Sequence, residues 1–422
     1  MTPPQLTAPL TLPCGLTLPN RIGRAAMTES LADRRNAPGP RHERLYRTTA
    51  AGGAGLVLTG NAMVDRAHLE RARNVVVDAA TDAEALRRWA LSARATPTLV
   101  QLAHPGRQVT RYVQPRPVAP SPGPALAIAG RLYAAPRGLT VAEIDEVRRR
   151  FVDAAVRVVD AGFPGVELHA AHGYLLSGFL DPQTNLRADD YGGDLHGRAR
   201  LLLEIVGDLR TVLPGAALAV KVDARDGAER ELAHLGRLLQ DAGIDLIEVS
   251  GGTYERPVMT GFDEDGRDLA SEHESPFWNA AAELSAAVTV PVMLTGGFRT
   301  RAEVDRALAA GVCDIVGVGR PLAVRPSLAG RFVRGEIGDL DRPAPRLGGP
   351  AVVRRPLAAA ANAGWHRVQI ARTSGTRPPL LRLPALAAAL DYTAVDAAQA
   401  AIERRARLRL AATTPAPAVR PG

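Results

Sequence analysis

Eight short apolar runs, each followed by a segment with helical patterning, fill the first 335 residues and constrain the fold more than any other feature. The runs are Arg21–Ala26, Leu56–Thr59, Thr98–Leu102, Gly165–His169, Leu218–Val222, Leu246–Ser250, Val292–Thr295 and Ile315–Gly319. Between them lie amphipathic stretches such as Glu143–Ala161, where Ile144, Val147, Phe151 and Val158 recur at helical spacing. Strand and helix in repetition call for a parallel sheet, and eight such units close into a (β/α)8 TIM barrel. Capping boxes are expected at Thr81/Glu84, Thr140/Glu143 and Thr300/Glu303, where threonine accepts from a free amide and glutamate reaches back.

The remaining length has places to go. Leu10–Pro19 repeats Leu-Thr-Leu-Pro around Cys14-Gly15, the pattern of a small N-terminal hairpin under the barrel. Arg107–Gly138, rich in Pro and Gly, and the polar stretch His172–Gly197 read as long loops after strands three and four. The barrel domain is expected over 1–335. The Pro-rich connection Arg342–Pro356 falls in a C-terminal extension over 336–422, helical in patches and frayed over Pro415–Gly422.

Charge and cysteine count narrow the function. The net charge is +8, and thirteen arginines against six acids from Glu336 onward carry +7 of it. The barrel is therefore nearly neutral, and a nucleic-acid partner is not expected. Cys14 and Cys313 are too few for a disulfide framework, a four-cysteine zinc site or an iron–sulfur cluster. No run of about 18 apolar residues exists and the N-terminus lacks signal-peptide character, so a cytoplasmic protein without a membrane span is expected.

In barrels of this kind the chemistry sits at the C-terminal ends of the strands. Those ends carry Thr28, Gln101, His169 with His172, Lys221, Ser250, Gly296-Gly297 and Gly319-Arg320. Lys221 is the chain's only lysine beside 51 arginines. Strand alternation places it with Ala217 and Ala219 on one face, opposite Leu218, Val220 and Val222. Glu167 and His169 likewise share a polar face, which should point into the barrel. The two glycine turns after strands seven and eight, with Arg320, have the makings of a phosphate cradle. His169 and His172 could ligate a metal or donate to an oxyanion. No third ligand has convincing spacing, so no metal is expected. Tyr174 adds a weak acid suited to protonating a carbanion or enolate.

These stretches together resemble the Old Yellow Enzyme family of FMN-dependent ene-reductases. The matching motifs are Leu18-Pro-Asn-Arg-Ile22 with Met27-Thr28, Gly52-Gly-Ala-Gly-Leu-Val57 and Gln101-Leu-Ala-His-Pro-Gly-Arg107. They continue through Gly165-Val-Glu-Leu-His-Ala-Ala-His-Gly-Tyr-Leu175, Thr184-Asn-Leu-Arg187, Asp190-Tyr-Gly-Gly193, Ser250-Gly-Gly-Thr-Tyr254 and Gly317-Val-Gly-Arg320. The resemblance implies FMN as a tightly bound, non-covalent cofactor, NADH or NADPH as reductant and an enone or similar small molecule as substrate. It implies His169 and His172 as carbonyl-binding residues, Tyr174 as proton donor and Thr28 as a tuner of the flavin. It places Ala25, Ala26, Met27, Thr28, Gln101, Lys221 and, less firmly, Asn61 beside the ring, with Gly296, Gly297, Gly319 and Arg320 at the phosphate. Many members have proline at the position of Ala26 and arginine at that of Lys221, so the redox potential is expected to differ. With no cysteines for a cluster, the chain resembles the shorter, cluster-free branch.

Two other functions remain open at this point. Lys221 could form a Schiff base in an aldolase-like barrel, or the protein could bind flavin without turnover. The basic C-terminal segment, including Trp365 and Gln369, resembles the family's terminal helix; closing the pocket and joining subunits of a homo-oligomer both stay open as its role here.

Overall fold

The computed structural model describes residues 5–126, 132–225, 227–253, 255, 275–340, 345, 351–395, 397–398 and 400–402. Tyr254, the tail Pro415–Gly422 and most of the 341–350 connection lie outside them. Eight parallel strands form a closed barrel: β1 (Ile22–Arg24), β2 (Leu56–Leu58), β3 (Thr98–Ala103), β4 (Gly165–Ala170), β5 (Ala217–Asp223), β6 (Leu246–Ser250), β7 (Val292–Thr295) and β8 (Ile315–Val318). Neighbours pair in chain order, β8 returns to β1, and Val57 stands opposite Thr98, so the sheet has no open edge there. All eight expected strands form; β1 is shorter than expected, with the Ala25 amide still donating to the Val318 carbonyl.

The strand pleat sorts side chains as the alternation requires. Leu218, Val220 and Val222 pack outward with helix residues such as Leu201, Ile205 and Leu235. Ala217 and Ala219 instead join Leu56, Leu99, Leu246, Met293 and Ile315 inside the barrel. The hairpin pairs Leu10 with Leu18 and Thr11 with Thr17, and its Leu12 and Leu18 close that interior cluster. The barrel floor is thus an apolar plug.

Two expected capping boxes form, Thr140/Glu143 on helix Val141–Asp160 and Thr300/Glu303 on helix Arg301–Ala309. The third does not. Asp82 caps helix Ala83–Ala93 by accepting from the Glu84 amide. Thr81 sits one residue too early and donates to the Val76 carbonyl instead. The stretch His172–Gly197 is also more ordered than a loop: helix Leu175–Leu180 is wholly buried, and helix Leu195–Val212 begins within it. Its apolar Leu175, Leu176, Phe179 and Leu180 outweigh the polar average of the segment.

After the barrel, helix Ala351–Thr373 turns back and packs against helices Arg320–Val324 and Ala385–Leu390. Trp365, fully buried, joins Val324 and Ala388. Gln369 clips the returning chain, donating to the Leu380 carbonyl and accepting from the Leu380 amide.

Candidate active site

A pocket opens at the C-terminal ends of the strands, and these residues singled out from the sequence line it: Ala25, Ala26, Met27, Thr28, Asn61, Gln101, His169, His172, Tyr174, Lys221, Gly296, Gly297, Gly319 and Arg320. They come from seven strand ends and converge because the barrel closes.

The imidazoles are arranged as neutral hydrogen-bond donors. His169 ends β4 and its Nδ1 accepts from the Ala171 amide at 3.3 Å, which leaves the proton on Nε2. Burial, then the Lys221 charge, holds its pKa well below the usual histidine range. His172 is depressed in the same way, by burial, Lys221 and His169 in that order. Its backbone stands at φ 61° and is pinned there by its amide donating to Asp223 Oδ1 at 2.8 Å, while Nε2 meets Ser250 Oγ at 3.2 Å. A non-glycine residue in that left-handed region costs energy, and such strain concentrates at functional sites. The ring of Tyr174 lies 4.5 Å from that of His169.

Tyr174 begins a polar chain that sequence reasoning did not anticipate. Asn61 Nδ2 donates to the Tyr174 hydroxyl at 3.3 Å and approaches Glu70 Oε2 at 3.4 Å. Thr28 Oγ1 reaches the same carboxylate oxygen at 3.4 Å, and Arg71 binds its other oxygen at 3.0 Å. The guanidinium of Arg71 stacks 3.6 Å from the ring centre of Tyr392, in the C-terminal extension. Asn362, His366, Arg367 and Tyr392 line the pocket, and Arg367 pairs with Asp391. Trp365 and Gln369 anchor that segment; residues three positions or fewer from them reach the site. Helical spacing from Trp365 and Gln369, three residues back from each, could have found Asn362 and His366, but nothing local connects Glu70 to Tyr392.

The other end of the pocket fits a phosphate. Gly296 and Gly297 have φ of 122° and 89°, a conformation side chains rarely adopt. A Cβ on Gly297 would stand 2.8 Å from the Ser275 Cα. Thr295 Oγ1, which faces this end, is a buried hydroxyl without a partner among the described residues. Amides exposed by glycine, a hydroxyl in want of a partner and Arg320 make a donor set suited to an anion.

Away from the pocket, Asp65, His68 and His104 bring their ligand-type atoms within 4.8 Å of one another. The Gly106 amide donates to His104 Nδ1 at 3.1 Å, so Nε2 carries the proton and presents no lone pair. Arg150 moreover pairs with Asp65 at 2.6 Å. A cation finds poor terms there.

A (β/α)8 barrel with glycine turns suited to an anion after its last two strands, a basic residue on β5 and neutral imidazoles on β4 has the layout of a barrel enzyme that takes a phosphate-bearing ligand. The family model described as NADH:flavin oxidoreductase / NADH oxidase matches residues 5–336, and the chain belongs to that family. It is an FMN-dependent oxidoreductase with NADH or NADPH as its reductant.

The chain is similar to the NADH-dependent flavin oxidoreductase iliE of Hypocrea jecorina (strain QM6a), 36% identical over 82% of this chain and 94% of that one. It is 34% identical to the NADPH dehydrogenase of Bacillus pumilus (strain SAFR-032), over 61% and 76%. Among solved structures, the old yellow enzyme homologue from Zymomonas mobilis matches at TM-score 0.68 and 26% identity, over 79% of this chain and 94% of that one. Some similar proteins are longer: the chain spans 46% of a Neonectria sp. (strain DH2) relative and 52% of a 2-naphthoyl-CoA reductase with TM-score 0.72.

Proposed function

We propose that the protein is an ene-reductase, reducing the activated C=C bond of an α,β-unsaturated carbonyl compound at the expense of NADH or NADPH. The observation that carries this is the grouping of His169 and His172, neutral and donor-competent, beside Tyr174 in one pocket. A carbonyl oxygen that gains negative charge during the reaction needs fixed donors, and neutral imidazoles supply them without a titrating charge.

Ala25, Ala26, Met27, Thr28, Asn61, Gln101 and Lys221 would hold the FMN ring, with Gly296, Gly297, Gly319 and Arg320 at its phosphate. Bound there, FMN would supply the hydride-transfer chemistry between the nicotinamide and the β-carbon of the alkene. His169 Nε2–H and the His172 imidazole bind the substrate carbonyl and stabilise the charge that develops on its oxygen. Tyr174 gives its hydroxyl proton to the α-carbon, and Asn61 Nδ2, already donating to that oxygen, stabilises the phenolate left behind. Lys221 sets one positive charge at the pocket floor, where it favours an electron-rich ring. Thr28, tied to Glu70, is the polar group placed to tune the ring from the β1 side.

The Schiff-base reading of Lys221 loses support, because its Nζ is held in a buried ion pair with Glu248 at 2.9 Å and a nucleophilic amine must be neutral. The experiment is direct: purify the chain, record its visible spectrum before and after anaerobic NADH or NADPH, then add 2-cyclohexenone. A yellow protein that bleaches and is reoxidised by the enone supports the proposal. Bleaching without reoxidation by any enone tried would leave an oxidase or a flavin-binding protein.

A further inference from the structure

The reaction uses Lys221 and Gln101 but not the two acids that hold them. Glu167 on β4 and Glu248 on β6 are fully buried inside the barrel. Gln101 stands opposite Glu167 in the β3–β4 register, and Lys221 opposite Glu248 in the β5–β6 register. Gln101 Nε2 donates to Glu167 Oε2 at 2.6 Å; Lys221 Nζ donates to Glu248 Oε1 at 2.9 Å. That leaves Glu167 Oε1 and Glu248 Oε2, each buried and without a donor among the described residues. The Glu248 carboxyl lies close enough to the Glu167 carboxyl to act on its charge.

Two ionised carboxylates would place two negative charges against the single positive charge of Lys221, in a site closed to water. An unmatched buried charge costs several kcal/mol, and adjacent carboxylates do not both ionise. One proton between them removes the excess charge and satisfies both orphaned oxygens at once. We propose that Glu167 and Glu248 share a single proton and act as a positioning pair for the flavin's pyrimidine edge. The neutral acid fixes the Gln101 amide by taking one Nε2 hydrogen, which sets the direction in which Oε1 and the second N–H face a ligand. The remaining negative charge belongs to Glu248, where it matches Lys221. Burial first, then the neighbouring Glu248, pushes the Glu167 carboxyl well above the ordinary range, in keeping with a retained proton. Of the other titratable groups near Lys221, His169 is kept neutral by burial and Lys221, and Asp223, two residues beyond Lys221 on the same strand face, is raised to about 6 by burial. The inference does not depend on the enone assignment, only on FMN occupying the pocket.

The test uses the full-length FMN-loaded protein. Infrared spectra in water and heavy water should show a protonated-carboxyl stretch that is lost in Glu167→Gln and equally in Glu248→Gln. Glu29 is also pushed up by burial, so only a band removed by these variants counts. In Glu167→Gln the amide imitates the neutral acid, accepting from Gln101 and donating to Glu248. The FMN midpoint potential should therefore stay where it is, whereas Glu167→Ala should shift it and weaken FMN binding about tenfold, the size of one lost hydrogen bond. Glutamine rescuing what alanine breaks is not expected of mere space filling. A band that survives both glutamine variants overturns the proposal. So does a rise in potential in Glu167→Gln, which would mean a negative charge had been removed.

Discussion

The two ends of the barrel interior are built from the same strands and behave as opposites. At the floor, Ala217, Ala219, Leu99, Leu246 and Met293 meet Leu12 and Leu18 of the hairpin in an apolar cluster. One or two pleats higher, the same strands present Gln101, Glu167, Lys221 and Glu248, all buried, with His169 opposite Lys221. The floor gains from apolar burial alone; the upper layer keeps polar groups where each must find a partner. The contrast teaches that stability and chemistry are separated along the strand axis, as the family of barrel enzymes requires.

That separation can be broken experimentally. The largest effect should come from Tyr174→Phe at the top. Alkene turnover falls by about 10²–10⁴-fold, the typical contribution of a general acid, while reduction of the flavin by NADH or NADPH persists. Stopped-flow measurement of the two half-reactions decides, and equal loss in both would remove Tyr174 from the proton-donor role. At the floor, Leu18→Ala should cost about 2–5 kcal/mol of stability, read by urea unfolding, with turnover per folded molecule unchanged. A loss of activity without a loss of stability would erase the distinction between the two ends.

A third probe is pH. Burial is the main force that raises the Asp223 carboxyl from 3.8 to about 6, opposed by its bonds from the His172 amide and the Ser177 hydroxyl. Its folded-state value is raised, so its stabilising contribution is full below the unfolded value and disappears as pH climbs through about 6. Asp223→Asn should flatten that part of the stability profile and raise stability at pH 7 by up to about 3 kcal/mol, less to the extent that water reaches this partly exposed group. Unfolding midpoints between pH 4 and 8 test it; an unaltered slope would count against the assignment. The smallest effect belongs to neither end: Thr140→Ala should cost about 1 kcal/mol by removing a helix cap, with no change in flavin reduction.

Much of this was legible in the chain, for a local reason. Period-two alternation in Ala217–Val222 placed Lys221 inside, and the position of Gly296-Gly297 and Gly319-Arg320 after the last strands put them on the pocket wall. The misses have physical causes too. Thr81 and Asp82 both offer a capping oxygen within one residue, and spacing alone did not choose between them. The polar average over His172–Gly197 hid a buried helix.

The sequence by itself determined the barrel, its eight strands and the ring of residues at their C-terminal ends, because these depend on patterns a few residues long. Tertiary structure alone decided that Glu248 would meet Lys221 across 27 positions, that Glu167 would face Glu248, and that Tyr392 would lie on Arg71 at the pocket's edge. Those contacts depend on how the sheet closes and where the last helices return, and no local pattern records either.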